Sequence, residues 1–267
     1  MARRAVWYLL ALQMLAFWPV LRWYGARMTD SSDEPWGLLA LVTAMGFIVL
    51  KSAKKESGEL GKLSFILSSL FLVLYIVSYS ALPPLGRAVL AVLSIACTLS
   101  ATCLGRSVHL GTLGLLLLSL PIIASLQFYL GYPVRFITAV IAAKLITLTG
   151  FDVTASGTCL EWAGEIISVD APCAGIRMLW SGLYLNFTLA CFTGTGVFGT
   201  WLSYSLSMLA IFIANVLRAT ALFYLETGIV TGPEWSHTGI GIVAFAAVAV
   251  LIIMFHRFTE GERVQCA

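Results

Sequence analysis

The chain has 267 residues, 60% of them hydrophobic and 11% charged, with a mean hydropathy of +0.94 and a net charge of +3. Apolar runs near the roughly 20 residues that cross a hydrocarbon core recur along it, which excludes a soluble globular domain. So small a charge gives no basis for nucleic-acid binding, and six cysteines without CxxC spacing suggest neither a zinc centre nor a disulfide framework.

What remains is an all-α polytopic membrane protein, expected as a single integral membrane domain over 1–267. Arg3 and Arg4 precede an apolar run from Ala5 to Leu21 that has no small-residue cleavage site, so it reads as a retained first span. A second span, Trp36–Leu50, ends at the lysine-rich loop Lys51–Lys62, which the positive-inside rule makes cytoplasmic. The amino terminus is then cytoplasmic and the loop with Asp30, Asp33 and Glu34 external. Leu63–Leu82, stopped by Pro83-Pro84, Ala88–Leu104 and Leu110–Leu130 follow as spans. Beyond Gly131-Tyr-Pro-Val-Arg135, the run Phe136–Thr149 is short for a crossing and carries Lys144, which predicts a helix at the outer interface.

That choice makes 131–172 an external segment with an interfacial helix. Phe151-Asp-Val-Thr154 and Glu165-Ile-Ile-Ser-Val169 alternate as strands do and predict a small hairpin there. Cys173–Thr193, Trp201–Leu225 and Thr238–Phe255 complete about eight spans, and the tail with His256, Arg257 and Arg263 is cytoplasmic. The inside then holds Arg3, Arg4, Lys51, Lys54, Lys55, Lys62, Arg106, Arg257 and Arg263. Arg22, Arg27, Arg87, Arg135 and interfacial Lys144 are outside, so the charge bias agrees with this topology.

The external segment runs into Val169-Asp-Ala-Pro-Cys-Ala-Gly-Ile-Arg-Met-Leu-Trp180, which turns from polar to apolar with Cys173 and Arg177 just inside. Asp170 or Ala171 is a candidate cap and Pro172 suits a first turn. Cys173 is then predicted at the positive end of a helix dipole, where a thiolate is favoured, with Arg177 at i+4 on the same face. The competing reading makes Cys173 a small buried hydrophobe and Arg177 a snorkelling anchor. Cys159 is a rival thiol, but no helix start or base supports it.

Two more residues are unusual for an inert bundle. Arg218 lies about 10 Å inside an apolar run at 1.5 Å per residue, with Asn215 at i−3 on its face. A charge there costs on the order of 3 kcal/mol by insertion scales, so it needs a partner or a wet cavity unless it snorkels to the headgroups. His237 opens the last span from outside, as a surface histidine also would. The topology brings Cys173, Arg218 and His237 to one outer plane. A thiolate, an acid–base and a cation for a developing oxyanion suit acyl transfer, whereas metal-assisted hydrolysis lacks its ligands and no metal or cofactor is expected.

The ordered motifs Pro-Cys-Ala-Gly-Ile-Arg (172–177), Asn-Val-Leu-Arg (215–218) and His237-Thr-Gly-Ile-Gly241 resemble the exosortase/archaeosortase family of membrane cysteine transpeptidases, with Ala174 where many members carry serine. The resemblance extends over most of the chain, including the count of about eight spans. It implies a multi-pass enzyme of the cell membrane with its active site on the external face. Such an enzyme cuts near the carboxyl-terminal anchor of sorted surface proteins, which carry a short Pro-Glu-Pro-type motif, one transmembrane helix and a basic tail. Cys173 would form a thioester that an acceptor, a surface glycan or a lipid, resolves. Arg218 would stabilise the oxyanion, His237 would shuttle protons, and Arg177 and Asn215 would support them. The competing class is a transporter or channel with Arg218 as an intramembrane anion site. It leaves the cysteine unexplained, and the sequence shows no internal repeats or paired broken helices. A structural scaffold of the membrane is the third reading.

Overall fold

In the computed structural model the described residues are mostly helical, with one small sheet. The structure describes residues 2–29, 36–52, 61–104, 108–169, 175–193 and 197–265. Asp30, Asp33, Glu34, Lys54, Lys55, Arg106, the stretch 170–174 with Cys173, and Cys266 lie outside the described residues. The helices are α1 (Ala2–Ala16), α2 (Trp18–Thr29), α3 (Trp36–Ser52), α4 (Gly61–Val77), α5 (Pro84–Leu99), which runs into a π-helical turn at Ser100–Leu104, α6 (Leu110–Leu118), α7 (Ile123–Leu148), α8 (Ile176–Thr193), α9 (Val197–Glu226) and α10 (Ser236–Gln265). Between α7 and α8 lie β1 (Thr154–Ser156), β2 (Cys159–Trp162) and β3 (Glu165–Ser168).

Among the described residues, four helices are long and apolar enough to cross a membrane, Pro84–Leu104, Ile123–Leu148, Phe198–Glu226 and Ser236–Thr259, and Trp36–Lys51 and Lys62–Val77 are shorter apolar helices. The ends of these elements follow local chemistry. Pro84 occupies the first turn of α5, where its missing N–H would have had no partner. His109 caps α6, its Nδ1 accepting from the Thr112 backbone N–H at 3.2 Å. Gly150, at φ +98, closes α7 in the left-handed conformation that glycine adopts most readily.

Several expected elements are corrected. Leu110–Leu130 is not one span: α6 stops at Leu118 with Ser119 as its cap, and Pro121 lies between it and α7. Phe136–Thr149 is not a separate interfacial helix but the second half of α7, which has 26 residues. Gly131-Tyr-Pro133 does not interrupt α7. Pro133 removes a single backbone donor, and beside it the Arg135 Nε donates to the Gly131 carbonyl at 3.2 Å. His256 and Arg257 are not tail residues, since α10 continues to Gln265.

The chain divides into two compact units, Met1–Ile122 with Phe187–Phe192, and Ile123–Asn186 with Thr193–Ala267. In the first, Phe17 meets Tyr75 edge to face at 4.9 Å. Nearby, the buried Gln13 donates through Nε2 to the Ser68 and Thr98 hydroxyls, both at 2.9 Å, so apolar helices are joined by interhelical hydrogen bonds.

In the second unit the sheet rests on helix ends. Ala139, Ala143 and Ile146 of α7 and Phe223 of α9 form one core with Val153, Leu160 and Val169. The expected hairpin is a three-stranded antiparallel meander. Its outer strands pair with β2 rather than with each other, Ala155 opposite Leu160 and Leu160 opposite Ile167. Ala163 and Gly164, at φ 52 and 86, supply the two left-handed residues that a tight I′ turn requires between β2 and β3.

Candidate active site

The site is built at the end of the second unit where the sheet, the start of α8, the end of α9 and the start of α10 are gathered. α8 begins at Ile176, and the expected start at Pro172 lies outside the described residues. Gly175 has φ +71, outside the helical region, and its carbonyl accepts from the Leu179 N–H at 2.7 Å as a cap does. The expected place of Cys173 in a first turn lies outside the described residues, and Arg177 is the second residue of α8. Arg177 is exposed.

Gly175 is pressed against Asn215. A Cβ on Gly175 would lie 2.7 Å from the Asn215 Cγ, closer than real Cβ contacts come. Asn215 is 3% exposed, and its Nδ2 donates to the Thr138 Oγ1 at 3.4 Å. One amide thus ties α9 to α7 and lies on the backbone two residues after Cys173. Gly175→Ala meets two penalties, a left-handed backbone costing about 1–2 kcal/mol and displacement of Asn215. The variant is expected to unfold in detergent at a lower temperature than the parent, as read by a thermal melt, and to lose activity beyond what its membrane level explains.

Arg218, one turn after Asn215, is half-buried and lies over a gap in α10. Gly241 has no side chain there, and a Cβ would sit 3.5 Å from the Arg218 Nε. His237 is one turn before Gly241, so Arg218 and His237 address the same face of α10. Between α9, α10 and their connection lies an open groove of about 710 Å³, lined by Leu217, Ala221, Trp235, Gly239 and Ile240 among others, with Arg218 the one charged lining residue among the described residues. A guanidinium in a largely apolar wall suits a carbonyl or carboxylate oxygen.

His237 lies in the first turn of α10, and its Nε2 is 3.9 Å from the Glu226 Oε1, with both side chains about half exposed. The structure thus brings Asn215 to Gly175, Arg218 to Gly241 and His237 to Glu226. Of the described cysteines, Cys97 and Cys191 are buried, and Cys103 and Cys159 are partly buried and free, with Cys159 in β2.

Two groups escaped the sequence reading. Glu226 closes α9, where an acid at the end of an apolar run was the available signal. Asn186, buried within α8, accepts at Oδ1 from the His256 Nε2–H at 2.9 Å and donates to the Ser207 hydroxyl, which joins α8, α9 and α10. Here the signal was polar residues spaced four apart, Ser203 and Ser207, in an apolar helix.

No curated protein and no solved structure matches the chain. A family model described as transmembrane exosortase matches residues 4–254. That match runs from α1 into α10 and takes in every element of the candidate site, so the chain belongs to the transmembrane exosortase family.

Proposed function

We propose that this multi-pass membrane protein is a cysteine transpeptidase. It lies in the cell membrane with eight crossings and its active site on the external face, and it cleaves the carboxyl-terminal sorting signal of surface-destined proteins. The observation that carries the reading is the contact between Gly175 and Asn215. Two peptide steps, at most about 7 Å of chain, separate Cys173 from that glycine, and Arg218 is one helical turn from that asparagine.

In the proposed reaction the Cys173 thiol gives its proton to His237, and its sulfur attacks the scissile carbonyl carbon. The carbonyl electrons move onto oxygen, where the Arg218 guanidinium neutralises them. Collapse expels the amine of the leaving segment, which takes the proton from His237, and a thioester remains. A hydroxyl or amine of the acceptor, a glycan or a lipid, then loses its proton to His237 and attacks the thioester. Sulfur leaves and recovers the proton. Asn215 holds the start of α8 against Arg218, and Arg177 adds positive potential at the mouth. The substrates are membrane-anchored proteins with a short motif, a transmembrane helix and a basic tail, so both partners meet within the bilayer.

A membrane-impermeant thiol reagent tests the placement. Glu165 is exposed in β3, and Glu165→Cys, in a chain lacking the native cysteines, is expected to label in intact cells from outside. Cys173 is expected to label from the same side in the native chain. Labelling of both positions only after the cytoplasmic face is opened would overturn the external site. Absence of any labelling of Cys173 in the native chain would favour an anion transporter built around Arg218.

A further inference from the structure

We propose that Glu226 is a positioning residue for His237: its carboxylate holds the imidazole by Nε2–H and leaves Nδ1 as the atom that takes up and returns the proton. This rests on the acyl-transfer reading above, in which His237 is the acid–base. Three features of the site support it.

The first is the pairing itself. Glu226 is the last residue of α9 and His237 belongs to the first turn of α10, so the two arms of one helical pair present them to each other, with Nε2 3.9 Å from Oε1. The second is the position of Glu226. With Ser168 and Val169 it lines a small cavity under the end of β3, the strand whose chain continues towards Cys173. Glu226 is therefore close both to the histidine and to the strand that leads to the proposed nucleophile. The third is the orientation of the ring. A neutral imidazole carries its proton on either nitrogen, and an acceptor facing Nε2 selects the tautomer with the proton there. Nδ1 then keeps its lone pair for the thiol proton.

A half-exposed imidazole without such a partner samples many ring orientations. A carboxylate on one edge restricts them and stabilises the imidazolium that forms during the reaction, as the buried aspartate does in serine proteases. A spacing of 3.9 Å is longer than a direct hydrogen bond, and contacts of this kind shorten when the reacting complex assembles. As a contribution to folding, an ion pair this exposed is worth little. Loss of the carboxylate is therefore expected in turnover and not in stability.

The test is a double-mutant cycle on the full chain, reconstituted with a tagged protein substrate of the family type. Glu226→Gln, His237→Ala and the double variant are compared for kcat, KM and thermal midpoint. Glu226→Gln is expected to lower kcat about tenfold or more, within the 10²–10⁴ that general acid–base catalysis supplies, with KM and the thermal midpoint unchanged. In the His237→Ala background the same substitution is expected to have no further effect. Glu226→Asp, which keeps the charge, is expected to retain more activity than Glu226→Gln. If Glu226→Gln turns over at the parent rate, or slows the His237→Ala enzyme by the same factor as the parent, the positioning role is overturned while the acyl-transfer reading stands. A parent-like rate in His237→Ala overturns both.

Discussion

Replacing Cys173 by alanine is expected to abolish substrate processing while the protein still inserts at normal levels. A methyl group has no nucleophilicity and cannot form the thioester. Removal of the nucleophile from acyl-transfer enzymes costs on the order of 10⁶ in turnover, which for a membrane enzyme in cells reads as no processing. Serine at the same position keeps the size of the side chain but not its acidity, so Cys173→Ser is expected to be nearly as inactive. The control is Cys159→Ala. Cys159 belongs to β2, paired with Ser156 and Ser168, and its thiol is only partly buried, so its loss is expected to be tolerated. Gel mobility of a tagged substrate, with membrane-fraction abundance of each variant, decides it. An active Cys173 variant with an inactive Cys159 variant would transfer the nucleophile to the sheet and sink the assignment.

Arg218→Lys is expected to reach the membrane normally and to cleave at least on the order of a hundredfold more slowly. If Arg218 were only an anchor reaching for the headgroups, a lysine would serve as well. The geometry argues for more. The guanidinium lies over Gly241, where a side chain would otherwise stand, and among the described residues it is the one charge lining the groove between α9 and α10. A planar fork gives two parallel donors at a fixed depth, whereas an ammonium on a flexible stem does not. Losing one oxyanion donor costs about 10²–10³ in turnover in acyl-transfer enzymes. The measurement is single-turnover cleavage in proteoliposomes at matched protein levels. Near-parental cleavage by the lysine variant would return Arg218 to the anchor role and remove the main electrostatic partner proposed for Cys173.

Composition and apolar run length were enough to recognise membrane helices, and α9 falls close to its expected limits because its apolar run is long, whereas α10 continues past the expected end at Phe255 to Gln265. The helix α7 was not legible. Gly131-Tyr-Pro133 has the composition of a break, yet Pro133 removes only one backbone hydrogen bond, and the helix continues through it. The start of α8 at Ile176 also depends on a distant contact: Gly175, just before it, takes a left-handed conformation and packs on Asn215, 40 positions away in sequence. His256 read as a tail residue because arginine follows it, and only the fold reveals Asn186 beneath it. Arg218 and His237 stood out because each breaks an apolar pattern. Glu226 did not, since an acid at a helix end needs no special explanation until its neighbour is seen.

The residues proposed to handle charge and protons, Arg218, Glu226 and His237, all belong to α9 and α10, joined by the short connection 227–235. Cys173 and Gly175 come earlier, ahead of α8. A ribosome therefore delivers the thiol to the membrane well before the groups that would activate it. Until α10 has inserted and set Gly241 over Arg218, a half-made chain carries an ordinary cysteine. Biosynthetic order would thus act as a safety catch, keeping a nascent enzyme from attacking neighbouring proteins while it is still being threaded into the bilayer.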